Sequence, residues 1–257
     1  MISIKNIFKT VTITLIITNQ YSAFSLKEFN YRSASVLPIF HERSFHTSTK
    51  WVILTREAHG AARGYYDDCS GGRDRGEEHP LETAAREFYE EAILKDTVDA
   101  SLAETKNFID INSTNNTENI IIYSKDNPNP KKVAANVTYV TNVQKYKNDI
   151  LKNFYPALKE AIDKYDAAPK GKRNGHFSEK DRIAIVRWND LKDAIINCTD
   201  FSETVRVPAR VLDPVTQRKY IQKNIKLRPY LVMKLRPFFL NEICEIGESD
   251  KVRVYNQ

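Results

Sequence analysis

The sequence predicts an α/β protein, and two kinds of segment indicate this class. Four apolar runs are rich in β-branched residues and bounded by turn formers, which is typical of strands. Other segments repeat apolar residues every three or four positions, the period of an amphipathic helix. The chain has 257 residues with 41% hydrophobic content, enough for one sizeable core. We therefore expect one globular domain in which strands and helices alternate.

The predicted elements follow one another in a simple order. They are a strand over 51–55, a helix beginning at residue 80, strands over 119–123 and 134–143, a helix over 149–165, a strand over 183–188 and a short helix over 191–196. In the helix over 149–165, Ile150, Phe154 and Leu158 recur at steps of four. We interpret that helix as an insertion or a lid.

The C-terminal third predicts a hairpin followed by a closing helix. Residues 205–211 alternate between apolar and other residues, and 220–225 could return beside them as a second strand. Asp213 and Pro214 supply turn residues in the connection. A helix over 229–240 then follows, with apolar residues at helical spacing.

The two ends of the chain are expected to lie outside the domain. The domain itself is assigned to residues 51–240. Residues 24–50 are Ser-rich and are expected to form a poorly structured extension, and the polar residues 241–257 are expected to form a tail.

Residues 1–23 resemble a signal peptide. Lys5 and Lys9 precede an apolar run over 11–17, and this run is too short to span a membrane, so no stable membrane insertion is expected. Tyr21 departs from the small-residue cleavage pattern. Export is therefore the first expectation, and a cytoplasmic or organellar location is the alternative.

The most informative segment runs from Gly71 to Leu94, where a glycine-rich turn precedes the predicted helix. Pro80 suits the first helical position, where no backbone N–H is needed. Glu87, with Glu90 and Glu91 three and four positions later, places three carboxylates on one helix face.

Three neighbouring carboxylates repel one another unless a cation lies between them. Each like-charge pair at this spacing destabilises a helix by roughly 0.2–0.5 kcal/mol. Mg²⁺ prefers oxygen ligands and commonly bridges carboxylates to substrate phosphates. Glycines such as Gly71 and Gly72 let the backbone approach a ligand closely. The segment therefore predicts a site for a hard divalent cation.

This segment resembles the signature of the Nudix hydrolases. That signature is a glycine, then a glutamate, then Arg-Glu and Glu-Glu at fixed spacing. The matching positions are Gly72, Glu78, Arg86, Glu87, Phe88, Glu90, Glu91 and Leu94. Ile93 stands where the family has glycine, and a β-branched residue is disfavoured at positive φ. The turn that follows the family's helix is therefore expected to differ here.

The resemblance implies a fold, a reaction and a metal. The fold is a Nudix-like α/β/α sandwich around a mixed β-sheet, here with the insertion helix and the C-terminal hairpin plus helix. The reaction is hydrolysis of a pyrophosphate bond by water attack on phosphorus, with Mg²⁺ or Mn²⁺. The implied metal ligands are Glu87, Glu90, Glu91 and the carbonyl of Gly71, and Glu90 or Glu91 also acts on the water.

Other residues are assigned supporting roles by the same resemblance. Arg86 would orient a carboxylate, and Glu78 would support the loop or the outer coordination sphere. Many Nudix enzymes take a further acid from a loop outside the motif, and Glu179 is the candidate here, with Asp181 as a second choice.

Substrate contacts are predicted from cations and aromatic residues near the motif. Arg56, Arg73 and Arg75 flank the glycine turn and could hold phosphate oxygens bidentately. Tyr66 could stack on a base, with core packing as the alternative.

The net charge of +6 favours anionic partners without choosing among them. The leading substrate class is a small nucleotide derivative, namely a nucleotide sugar, a dinucleotide or a nucleoside triphosphate. One alternative is removal of the 5′ cap of RNA, which would use the basic surface. The other is a non-catalytic module that binds a nucleotide. Nothing in the sequence predicts an oligomeric state.

Overall fold

The structure is a computed structural model that describes residues 30–45, 47–92, 101–111, 113–124, 135–168, 179–200, 204–216, 220–241, 245–246 and 252–256. Its strands are β1 (Tyr31–Arg43), β2 (Ser48–Glu57), β3 (Tyr66–Asp67), β4 (Cys69–Gly72), β5 (Thr117–Ser124), β6 (Ala135–Asn142), β7 (Lys180–Arg187), β8 (Arg206–Leu212), β9 (Tyr220–Lys226), β10 (Glu245–Ile246) and β11 (Val252–Asn256). Its helices are α1 (Pro80–Glu91), α2 (Leu102–Ile109), α3 (Lys147–Ala167), α4 (Trp188–Ile196) and α5 (Pro229–Leu240).

All of these strands belong to one mixed sheet. Its main path runs β10-β11-β5-β6-β1-β2-β7-β8-β9. The pairs β1–β6 and β11–β5 are parallel, and the other pairs along this path are antiparallel. Strand β1 therefore lies near the middle of the sheet.

Helices cover both faces of the sheet. Neighbouring residues of β2 point to opposite faces, so Trp51 belongs to the core on the face covered by α1, α2 and α3, whereas Val52 belongs to the core on the face covered by α4 and α5. On the first face, α1 contributes Phe88 and α3 contributes Phe154, both fully buried. On the second face, Leu235 of α5 is fully buried. The α/β/α arrangement around a mixed sheet is thus confirmed.

Strands β1 and β2 are paired over only part of their length and then diverge, and this divergence positions the glycine turn. Strand β1 pairs with β2 only over Ile39–Arg43, whereas its earlier half pairs with β4, including Ala34 opposite Gly71. Strand β3 pairs with the last part of β2, at Thr55 and Arg56. The short strands β3 and β4 therefore fill the space between the diverging strands, and the turn leading to α1 begins there.

Two expectations about the ends of the chain are wrong. The expected poorly structured extension over 24–50 contains β1, whose residues Val36 to Phe40 include four fully buried apolar side chains. The expected tail over 241–257 contains β11, which pairs in parallel with β5. Strand β1 pairs with the adjacent β2 only over its last part, and its remaining partners β4 and β6, like the partner β5 of β11, lie farther away in the sequence, where local composition carries no signal of them.

The C-terminal hairpin is confirmed as β8 and β9, and the closing helix is α5. The expected insertion helix is α3, whose apolar face packs on the sheet. The signal-peptide prediction over 1–23 and the prediction about Ile93 concern residues outside those described. Among the helices of the described part of the chain, none has the length and apolar character that crossing a membrane requires.

Candidate active site

Helix α1 begins at a well-formed cap. The ring Nδ1 of His79 accepts a hydrogen bond from the N–H of Leu81 at 3.1 Å, and Glu82 Oε2 accepts from the N–H of His79 at 3.2 Å. These two bonds form a capping box, which satisfies donors that the helix itself leaves unpaired. Glu82 Oε1 also accepts from Lys106 of α2 at 2.9 Å. The helix that carries the acids is therefore fixed at its start.

The glycine turn lies directly against one of these acids. A Cβ atom added to Gly71 would overlap the carboxylate of Glu87, whereas one added to Gly72 would meet nothing within 4 Å. Gly71 is therefore the position where a side chain is excluded, because the backbone and the carboxylate approach each other closely. Gly76, with φ of 100°, provides the left-handed residue of the turn.

Arg86 links the turn to the helix. Its guanidinium donates to Glu87 Oε1 at 2.6 Å and to the carbonyl of Gly72 at 2.9 Å, and its Nη1 lies 3.5 Å from Glu90 Oε2. Although burial alone would lower the pKa of Arg86, hydrogen bonding to Glu77 and the charge of Glu87 hold this pKa above its usual value. Arg86 thus remains a cation in direct contact with Glu87.

The acid that supports Arg86 is Glu77 and not Glu78. Glu77 Oε1 accepts from Arg86 Nε at 2.9 Å, and Glu77 Oε2 accepts from Thr83 Oγ1 at 2.5 Å. Glu78 is exposed, and its N–H donates to Glu82. The contact with Arg86 is therefore made by Glu77, the neighbour of the residue that the motif spacing indicated. The turn of the chain before Pro80 decides which of two adjacent glutamates faces inward, and spacing alone does not reveal this.

Glu91 is the most deeply buried of the three acids on α1. Its Oε2 accepts from the N–H of Ser70 at 2.8 Å, and its Oε1 lies 2.9 Å from Lys180 Nζ. Burial, opposed by Lys180, raises the pKa of Glu91 well above its usual value. Each carboxylate oxygen has two lone pairs, so Glu91 keeps capacity for a further partner.

A second group of charged residues contacts the acids through Lys180. We call this group the buried ion network, and its members are Glu57, Asp67, Asp68, Lys180, Arg228 and Lys234. Lys180 lies 2.7 Å from Glu57, and Arg228 lies 3.2 Å from Glu57 and 2.8 Å from Asp67. Lys234 donates to both oxygens of Asp68, at 2.6 and 2.7 Å.

The sequence interpretation missed every member of this network. Lys234 stands among the apolar residues of α5, which is the one sequence signal that a buried cation was present. Lys180 lies between Glu179 and Asp181, the two acids considered as candidates, and reads as part of a solvated charged run.

A cavity of about 670 Å³ lies at Glu91, and we call it the acidic cavity. Its other lining residues include Glu57, Glu179, Arg228, Tyr230 and, from the loop after β2, residues 59–62 and Tyr65. The candidate Glu179 is therefore brought to the same cavity as Glu91. Pockets of 300–1,000 Å³ are typical for small ligands, so this volume is sufficient for a small nucleotide derivative.

The residues predicted to contact substrate do not line the acidic cavity. Arg56 forms two hydrogen bonds with Asp181, at 2.7 and 2.8 Å, and lines a second cavity together with Tyr66. Tyr66 is buried and packs in the core of the α5 face. Arg73 lies over the ring of Tyr31 at 4.7 Å, and Arg75 is exposed. The structure therefore brings neither Arg56 nor Tyr66 to the acidic cavity.

The chemistry of the acids fits a hard divalent cation, although their present arrangement is not a finished coordination site. Among the described residues, no three His, Cys, Asp or Glu side chains are grouped as a metal site. Burial raises the pKa of Glu87 to about 7; Arg86 opposes this rise, and the charges of Glu90 and Glu179 add to it. A cation held by these oxygens would offset the repulsion from Glu90 and Glu179, which adds to the effect of burial.

No protein-family model and no curated protein matches the chain. Solved structures are similar to it, among them the following three. A MutT/nudix family protein from Enterococcus faecalis has 17% identity and a TM-score of 0.29, over 55% of this chain and 44% of that one. A NUDIX hydrolase from Nitrosomonas europaea has 16% identity and a TM-score of 0.24, over 44% and 48%. A mutT/nudix family protein from Listeria innocua has 15% identity and a TM-score of 0.29, over 63% and 80%.

This chain thus spans less than half the length of the first two neighbours. At such identities and TM-scores, the likeness carries no activity from those proteins to this one.

Proposed function

We propose that this protein is a divalent-metal-dependent hydrolase that cleaves a pyrophosphate bond in a nucleoside diphosphate derivative. The observation that carries the proposal is the close contact between the Gly71 turn and Glu87, one helical turn before Glu91, which lines the acidic cavity. Packing of backbone against a carboxylate gathers oxygen atoms at one place, which a solvated helix face does not require.

A bound Mg²⁺ or Mn²⁺, held by Glu87 and Glu90 with Glu91 and the Gly71 carbonyl as further ligands, would neutralise phosphate charge and lower the pKa of a bound water. The chain's own residues supply the positioning. Arg86 holds Glu87 in place, and the N–H of Ser70 together with Lys180 holds Glu91.

The reaction proposed is attack of a water oxygen on phosphorus. A P–O bond forms, the bridging P–O bond breaks, and the leaving phosphate group departs with the electron pair of that bond. A carboxylate of the acidic cavity, Glu91 or Glu179, accepts the proton of the water. Arg228 lines the same cavity and can bind phosphate oxygens through its guanidinium.

The experiment is a phosphate-release screen over nucleotide sugars, dinucleotides, nucleoside triphosphates and capped RNA, with Mg²⁺ or Mn²⁺. We expect turnover of at least one nucleotide derivative and its loss on chelation. The variants Glu91→Gln and Glu179→Gln identify the proton acceptor, because its replacement lowers turnover by about 10²–10⁴-fold.

Glu91 belongs to a buried ion pair, so its variant is checked for folding by urea denaturation. Glu90→Gln provides a second test, since Glu90 is only partly buried. A folded Glu90→Gln protein that retains wild-type turnover, together with no loss in Glu91→Gln, would show that the chemistry takes place elsewhere.

A further inference from the structure

The second cavity is strongly basic. It has a volume of about 270 Å³, and six of its lining residues are cations: Arg56, Arg63, Arg182, Arg206, Lys223 and Lys226. The described lining contains no acidic residue. We call this cavity the basic cleft.

The cations of the basic cleft come from separate elements. Arg63 lies on the loop after β2, Arg182 lies on β7, and Lys223 and Lys226 lie on β9. Arg56 is neutralised by Asp181, whereas Arg63, Lys223 and Lys226 are exposed. Positive charge gathered at one place repels itself, so such a cleft favours an anion.

The volume of the basic cleft limits what this anion can be. At about 270 Å³ it is smaller than the 300–1,000 Å³ that typically encloses a whole small ligand. Its exposed lysines lie on β9, the last strand of the sheet path, and therefore on an open edge. A cleft of this kind suits successive phosphates of a longer chain that continues past it.

The basic cleft adjoins the acidic cavity. Tyr65 lines both, and the loop that carries Tyr65 separates them. Lys226 lines the basic cleft, and Arg228, two residues later, lines the acidic cavity. The N–H of Arg228 donates to the carbonyl of Tyr66, and the backbone of Arg228 is extended, so the Cα atoms of Lys226 and Arg228 are roughly 6.6 Å apart at about 3.3 Å per residue.

We propose that the basic cleft binds the phosphodiester backbone of a single-stranded nucleic acid whose end enters the acidic cavity. A cationic groove with an adjacent aromatic ring, here Tyr65, is the combination that binds single strands without reading their sequence. Entry of the end into the acidic cavity rests on the function proposed above. Binding of the backbone by the basic cleft does not depend on that function.

The test measures binding without hydrolysis. A labelled oligouridylate of about 12 nucleotides is titrated with the full chain in EDTA, by fluorescence anisotropy, between about 50 and 200 mM salt. The variant Lys223→Gln/Lys226→Gln is compared with Lys152→Gln/Lys159→Gln, which removes two exposed lysines from α3 and changes the net charge equally.

We expect only the β9 variant to bind weakly. Each lost phosphate contact lowers the slope of log K against log salt by about 0.7, so two contacts correspond to roughly 25-fold at 0.1 M salt. Three results would overturn the proposal: no binding by the wild-type chain, equal weakening in both double variants, or displacement of the oligonucleotide by tripolyphosphate as efficiently as by unlabelled oligonucleotide at equal phosphate concentration.

The last of these results would define a site for small anions. Because the assay contains no divalent ion and measures no turnover, its failure leaves the hydrolase proposal standing. Conversely, if the protein bound the oligonucleotide but hydrolysed no substrate, the hydrolase proposal would be wrong and the proposal that the basic cleft binds a nucleic acid would still hold.

Discussion

Two groups of charges meet where Lys180 contacts Glu91, and the chain assembles them in different ways. The acids Glu87, Glu90 and Glu91 come from five consecutive residues of one helix. The buried ion network joins residues from β2 to α5, as far apart as Asp68 and Lys234. The first group is a local pattern that a sequence can reveal, whereas the second exists only once the sheet has formed.

The two groups also differ in how their charges are balanced. Lys234 and Asp68 are both almost completely inaccessible and satisfy each other. On α1, Arg86 contacts Glu87 and Glu90, and Lys180 of the network contacts Glu91, yet burial raises the pKa of Glu87 and the charges of Glu90 and Glu179 add to the rise. Buried charges persist only when they are paired, so we infer that the network supports the fold, whereas the repulsion among the acids of α1 favours a cation.

The largest effect is expected from breaking the network. Lys234→Met leaves Asp68 buried without its cation, and removal of one partner of such a pair costs about 3–5 kcal/mol. Urea denaturation measures this loss. The double variant Asp68→Asn/Lys234→Met should recover part of it, because no unpaired charge remains. If Lys234→Met were as stable as the wild type, the pair would have no structural importance.

The next largest effect is a difference in activity between variants of the two adjacent glycines of the turn, Gly71 and Gly72. Gly71→Ala must displace the Glu87 carboxylate, whereas Gly72→Ala has open space. A displacement of about 1 Å at a reacting group can lower a rate by roughly 10²-fold. We therefore expect a large fall in phosphate release for Gly71→Ala and little change for Gly72→Ala. Equal activities of the two variants would show that the Gly71–Glu87 contact has no catalytic importance.

A smaller effect distinguishes two adjacent acids. Glu77→Gln removes the charge that faces Arg86, and loss of such a supporting contact typically lowers metal affinity or activity by about 10–100-fold. Glu78→Gln changes an exposed side chain and should have almost no effect. Steady-state kinetics with varied Mg²⁺ compares them. The opposite ranking would restore the assignment made from the motif spacing.

The smallest effect concerns the start of α1. The hydrogen bond from Lys106, followed by that from the N–H of Glu78, lowers the pKa of Glu82 from about 4.5 to about 2. A lowered folded-state pKa stabilises the fold above pH 4.5, and this stability is lost as the pH falls towards 2. Glu82→Gln should remove this pH dependence and about 1 kcal/mol at neutral pH, as loss of a cap does. Urea denaturation at several pH values measures both the pH dependence and the loss at neutral pH. If the stability of Glu82→Gln fell below pH 4.5 as that of the wild type does, Glu82 would not be the residue responsible.

The sequence alone reveals the features whose residues lie close together along the chain, and it does not reveal those that depend on distant partners. Helix α1 was predictable because its cap, its apolar stripe and its acids all lie within a few turns. Strand β1 was not, because its buried run Val36–Phe40 follows a Ser-rich stretch and has its partners in β2, β4 and β6. Lys180 was missed for the same reason, since the acids that bury it come from β2 and α1.

The most direct test of the account is calorimetric titration of the folded protein with Mn²⁺. The wild-type chain and Glu78→Gln should bind the ion, and Glu87→Gln should lose most of that binding, because Glu87 lies in the acid cluster and Glu78 is exposed to solvent. Absence of binding by the folded wild-type chain, or equal binding by Glu87→Gln, would contradict a metal centre on α1.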